Sequence, residues 1–187
     1  MPTSPRANRG PGAASENRAA LISAARAIFA DHGLDAPLSA VAREAGVGQG
    51  SLYRHFPSRN SLAIAVFEQN VDELEAVAAT DGSELGDVLR VITDQAIVST
   101  AFFEMIEPEH TEAADRELAR RVTAILDAKL PAAQKRGRVP AGVTTDDVML
   151  AVAMLAGALA KAPRADRDSV AVRAWGLLPF GPTPARR

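Results

Sequence analysis

Residues 38–59, LSAVAREAGVGQGSLYRHFPSR, restrict this chain to very few folds. Leu38, Val41, Ala42 and Ala45 fall at i, i+3, i+4 and i+7, the spacing of one buried face on a short helix. Gly46 stops that helix, because glycine adopts the left-handed conformation a helix C-terminus often needs. Only Val47 and Gly48 intervene before a second short helical pattern over 49–56. Two short helices joined by a glycine-containing turn of about three residues make a helix-turn-helix unit. The small Ala42 lets the helices approach, and Val47 and Leu52 point back to lock the pair.

The second helix then carries Gln49, Gly50, Ser51, Tyr53, Arg54 and His55 on its outer face, none of them acidic. A recognition helix lies in a major groove about 12 Å wide with its first residues nearest the bases. Gln49 can pair with adenine through two hydrogen bonds, and Gly50 and Ser51 permit close approach. By spacing alone the pair equally suits an αα-hairpin inside a bundle. The Tyr, Arg, His and Arg that follow at positions 53, 54, 55 and 59 have little reason to stand on a solvated structural helix.

Residues 21–65 resemble the N-terminal DNA-binding domain of the TetR family of transcriptional regulators. The resemblance rests on A-x-x-x-F-A-x-x-G from Ala25, V-A-x-x-A-G-V from Val41, and the run G-S-L-Y-R-H-F-P-S-R from Gly50. It covers about a quarter of the chain. It implies base contacts from Gln49, Gly50 and Ser51 and phosphate contacts from Tyr53, His55 and Arg59, with Arg54 on a base or a phosphate. Two positions depart from the family pattern: Gly48 stands where serine often caps the recognition helix, and Gln49 where lysine is frequent. Glycine still caps acceptably, so the departures bear on operator sequence rather than on fold.

The 187 residues suffice for one helical domain or two small ones. Alanine and leucine dominate and aromatics make up only 4%, which favours an all-α fold. With no cysteine there is no disulfide framework, thiolate metal site or cysteine nucleophile. The first residues lack the apolar core of a signal peptide, and the apolar run over 148–160 is too short to span a bilayer. A cytoplasmic protein is expected. The net charge of −2 divides unevenly: residues 1–62 hold seven arginines against four acids, and the remainder holds fourteen bases against nineteen acids. That places an attractive patch for DNA on the N-terminal part.

In chain order, residues 1–14 read as a disordered arm. In it, Arg6 and Arg9 either reach a minor groove or remain mobile. A DNA-binding domain follows over 15–62, a helical ligand-binding and dimerisation domain over 63–180, and a tail over 181–187. The first helix is expected over 16–31 with Ser15 as its cap; Arg18 and Arg26 lie on its other faces, within possible reach of phosphate. After Pro57, Ser58 caps a helix over 59–79 that joins the two parts. Further helices are expected over 84–103 and 111–134, the latter ended or bent early by Pro131. A basic loop over 135–140 reads as solvated, with a second nucleic-acid site as the alternative. Thr144 or Thr145 caps a helix running to about 161, apolar all round and therefore buried on more than one side. A last helix over 168–178, capped near Asp166, completes the set. The last two helices are expected to form a homodimer interface, with an ordinary intramolecular core as the alternative.

The family resemblance also implies a repressor of double-stranded DNA released by a small-molecule effector. Phe67, Phe102, Phe103, Met105, Met149 and Met154 are candidate lining residues for an apolar cavity, with Asp94, Gln95, Thr100 or His110 as polar anchors. Two other classes compete. An enzyme is disfavoured because His32, His55 and His110 lack metal-ligand spacing, no nucleotide or nucleophile motif is present, and Glu107 and Glu109 sit beside Pro108 in an expected loop. No cofactor and no metal are expected. A ligand-independent DNA-binding or architectural protein has the same composition, and cavity volume is what separates it from the first reading.

Overall fold

The computed structural model describes residues 11–99 and 113–182. The expectations for residues 1–10 and 183–187, and for Thr100, Phe102, Phe103, Met105 and His110, lie outside the described residues. Every described element is a helix: α1 Pro11–His32, α2 Leu38–Glu44, α3 Gln49–His55, α4 Arg59–Ala79, α5 Leu85–Val98, α6 Ala113–Lys135, α7 Thr145–Lys161 and α8 Arg167–Gly176, with a 3-10 turn Arg164–Asp166 before α8. The chain divides into two compact units, Met1–Val66 and Phe67–Arg187, and α4 carries residues of both.

In the first unit α1, α2 and α3 pack on one another around Leu21, Ile22, Ala25, Phe29, Val41, Ala42, Leu52 and Phe56. The i, i+4 series Leu21, Ala25 and Phe29 gives α1 its inward stripe. The helix begins at Pro11, five residues before the expected start, so Ser15 lies inside it rather than at its cap. Proline suits a first helical position because its missing N–H would find no intrahelical partner there. Gly33 and Gly46, at φ +72° and +64°, end α1 and α2 in the left-handed region.

In the second unit α5 packs on α6, α7 and α8, and α7 also meets α6 and α8. Leu85, Val88, Leu89, Ile92 and Ala96 from α5 meet Leu118, Val122, Leu126 and Leu130 from α6 and Val148, Val152, Leu155 and Leu159 from α7 in the core. The α5 helix ends at Val98, short of the expected 103, with Ser99 already extended at φ −146°. Successive β-branched residues followed by serine lower the propensity to continue. In α6 the opposite holds: Pro131 sits within the helix, which continues to Lys135. Pro131 is exposed there, while the burial of Leu130 and Ala133 on the other side holds the last turn in place. Gln134 also binds this end to the following loop, giving its amide hydrogens to the carbonyls of Pro140, Ala141 and Val143.

Thr144 caps α7: the Asp147 N–H donates to its Oγ1 at 3.2 Å, and its own N–H donates to Asp147 Oδ2 at 2.8 Å. These bonds from Thr144 hold the Asp147 carboxyl below its usual range. Asp166 occupies the cap position of α8 without a side-chain bond to it. Beyond α8, Phe180 returns to Trp175 with ring centroids 6.4 Å apart. Gly181 passes so close that a Cβ there would meet the indole at 3.2 Å. No helix among the described residues is long and apolar enough to cross a membrane.

Candidate nucleic-acid interface

The α2–α3 pair is held by short-range chemistry that the sequence spells out. The Val47 N–H donates to the Ala42 carbonyl at 2.9 Å and the Gly46 N–H to the Arg43 carbonyl at 3.1 Å, closing the turn around the left-handed glycine. Buried Leu52 anchors α3 against Val41 and Ala42 in the core of this unit. With Leu52 turned inward, the helical repeat turns Gly50 and Arg54 away from the core, and Tyr53 beside them and Gln49 at the helix start are exposed as well. Ser51 and His55 are half-buried at the edges of the same face. Tyr53 keeps 52% of its surface accessible, although a tyrosine usually buries much of its ring. A Cβ built on Gly48 or Gly50 meets nothing within 4 Å, so the domain's own packing does not require glycine at either place. The surface above them is open to a partner.

Two arginines of the first unit have other roles. The Arg18 guanidinium lies over the Phe56 ring, 5.3 Å from its centroid, tying α1 to the end of α3. Arg59 gives hydrogen bonds from Nη1 to the carbonyls of Leu34 and Ala36. The sequence carried no signal for either arrangement, because each partner is remote along the chain and Arg59 grips backbone rather than side chains.

The described candidate effector residues stand in different surroundings. Phe67 is buried and Met149 half-buried. Gln95 is engaged between helices, its amide donating to the Asn70 carbonyl at 3.2 Å and to Glu73 Oε2 at 3.0 Å. Asp94 is exposed, and partial desolvation raises its carboxyl above the usual range, assisted by Asp168 and Glu73 and opposed by Arg90. Met154, expected to line a cavity, is instead 60% exposed. Buried Ala151, Val152 and Leu155 define the inner side of α7, which leaves positions 150 and 154 facing away from the core.

The second unit does hold an open groove of about 530 Å³ between α4 and α6. Ala78, Ala79, Ala124 and Ala128 line it with Ile125, alongside Glu75, Arg120, Arg121 and Lys129. Beside it Arg121 Nη2 donates to Asp72 Oδ1 and Glu75 Oε2, each at 2.7 Å. That pairing lowers the Glu75 carboxyl and raises the guanidinium from their ordinary values. In the loop after α6, Arg136 and Arg138 both pair with Glu84 at the start of α5. Two of its arginines thus share one carboxylate within the unit, which offsets part of the loop's positive charge.

A short helix with an open polar face, braced by a second across a glycine turn, defines a helix-turn-helix protein of the DNA-binding class. Residues 21–66 match the family model described as bacterial regulatory proteins, tetR family. The transcriptional activator FasR of Mycolicibacterium smegmatis is 37% identical over 98 residues, covering 49% of this chain and 41% of FasR. A transcriptional regulator of Staphylococcus aureus (strain USA300) is 33% identical over 60 residues, 32% of each chain. The chain thus spans less than half the length of these curated relatives. Among solved structures, the TetR transcriptional regulator SCO0520 from Streptomyces coelicolor superposes with a TM-score of 0.64 at 28% identity, covering 90% of this chain and 99% of that one. Residues 21–66 are thus a DNA-binding domain of the tetR-family type, and the fold of the whole chain is that of a TetR transcriptional regulator.

Proposed function

We propose that this protein is a transcriptional regulator that acts in the cytoplasm and binds a palindromic operator in double-stranded DNA as a homodimer. The observation that carries the reading is the outward face of α3, where Gln49, Gly50, Tyr53 and Arg54 stand exposed and acid-free. Gln49, Gly50 and Ser51 meet base edges, Tyr53 and His55 hold the phosphates on either side, and Arg54 reaches a base or a phosphate. One seven-residue helix reads too few base pairs for a unique site. Two, about 34–36 Å apart, read both halves of a palindrome.

Dimerisation is assigned to the outer faces of α7 and α8. Leu150, Met154, Val172 and Leu177 are 59%, 60%, 69% and 87% exposed, and the small Ala153, Gly157 and Ala158 beside them allow close helix approach. A small-molecule effector in the second unit completes the reading. To release DNA it must prefer the conformation whose recognition helices are mis-spaced, with a coupling of about 1–3 kcal/mol. The α4 helix, shared by both units, transmits that preference.

Repression follows where the operator overlaps a promoter; the naming of FasR as an activator supports the opposite sign as a second reading. Selecting bound fragments from genomic DNA at low ionic strength tests the core of this. Inverted repeats about one helical turn apart are expected, and a chain that enriches no sequence and retains no duplex sinks the assignment.

A further inference from the structure

The family resemblance implies that Arg59 neutralises a phosphate. We propose instead that Arg59 is a positioning residue that clasps the two ends of the helix-turn-helix together, an inference that rests on the DNA-binding reading for its consequence but not for its geometry. Arg59 opens α4, immediately after α3. Its Nη1 gives hydrogen bonds to the carbonyls of Leu34 and Ala36, 25 and 23 residues earlier, in the loop that feeds α2. The stretch so closed contains all of α2, the turn and α3.

The chemistry suits the task. A guanidinium presents its donors in a rigid plane, so one nitrogen fixes two carbonyls in a set relation. Both carbonyls lie where α1 and α2 leave no helical partner for them, and a part-buried carbonyl needs a donor. The charged donor makes each bond roughly twice as strong as a neutral one. The root of the side chain is fixed as well: the Ser61 N–H donates to Ser58 Oγ at 3.1 Å and the Ser58 N–H to Ser61 Oγ at 3.2 Å, capping α4 where Arg59 begins. The left-handed Gly33 turns the chain so that the loop carbonyls come to the guanidinium, with the Ala36 N–H donating to the Gly33 carbonyl at 3.3 Å. The clasp therefore sets where α2 starts, and α2 sets α3.

The test compares the wild type, Arg59→Ala and Arg59→Gln in a salt series, on a selected operator duplex and on an unrelated duplex of equal length, at a temperature where circular dichroism shows each protein folded. Amide hydrogen exchange over 34–44 is followed in the free proteins. For the clasp, Arg59→Ala loses about tenfold in operator affinity, since bonds to a charged donor are the strong ones. Affinity for the unrelated duplex and the slope of log K against log salt stay unchanged. Arg59→Gln, uncharged but still carrying an N–H2 donor, is milder than alanine, and exchange over 34–44 quickens in both.

A phosphate contact predicts otherwise: equal loss on both duplexes, the same for alanine and glutamine, and a slope shallower by about 0.9 per half-site. That result overturns the proposal, as does unchanged operator binding or unchanged exchange. If the wild type binds no DNA, the regulatory reading fails while the exchange data still decide whether the clasp exists.

Discussion

Trp175 gives its indole hydrogen to Thr93 Oγ1 at 2.9 Å, and Thr93 passes its own hydroxyl hydrogen to the Leu89 carbonyl at 2.6 Å. The chain of bonds ties α8 to α5 in the buried interior, where an unmet indole N–H has no water to turn to. Thr93→Val keeps the shape and removes the acceptor. A stability loss of about 1–3 kcal/mol is expected in urea denaturation, and a smaller one for Thr93→Ser, which keeps the hydroxyl. Because Trp175 is the chain's one tryptophan, its fluorescence follows the transition directly. A valine variant as stable as the parent would show that the bond contributes nothing net. On the DNA side, Gln49 stands exposed at the start of α3, where its amide matches the adenine edge. Gln49→Ala is expected to relax preference at one base pair per half-site by about 1–3 kcal/mol in competition binding, leaving affinity for unrelated DNA unchanged. A loss shared by every duplex would assign Gln49 to the backbone instead.

The helices of the first unit were legible because each is bounded by residues with a single local meaning: Gly33, Gly46, and Pro57 before Ser58. Ser58 and Thr144 cap as their positions suggest. Proline was the less reliable signal in both directions. Pro11 extends α1 past the expected cap at Ser15, and Pro131 fails to end α6. In each case burial or geometry outweighs the local rule, and neither can be read before the fold is known. The exposed face of α3 was legible because it is local. What depends on remote partners was not legible, as with Arg18 over Phe56 or Met154 turned away from the core. The tolerated proline yields a direct expectation. Pro131 has no N–H to give to Asp127 four residues back, so Pro131→Ala restores a bond in the last turns of α6. Proline also restrains the unfolded chain, which offsets part of the gain. A net stabilisation of about 2 kcal/mol is expected by thermal denaturation. A lower melting temperature would mean that the ring of Pro131 is itself packed and needed.

Two recognition helices can hold their spacing on DNA only if something joins their protomers, and the proposed dimer assigns that task to the exposed apolar face of α7 and α8. Burying a leucine or methionine side chain contributes about 1.5–3 kcal/mol, so four such residues from each partner supply a substantial driving force. Leu150 is 59% exposed within its own chain, so replacing it leaves the monomer's core untouched. In a two-fold interface every substitution also acts twice, since the same patch serves both partners. Leu150→Glu would bring two unpaired carboxylates into the seam, where desolvation strongly disfavours them. The variant is expected to sediment as a folded monomer with an unchanged helical spectrum. It should bind a full operator no more tightly than a single half-site, because the advantage of linking two weak contacts is gone. If Leu150→Glu remains a dimer of undiminished operator affinity, the protomers meet elsewhere, and the apolar face of α7 and α8 has another occupant.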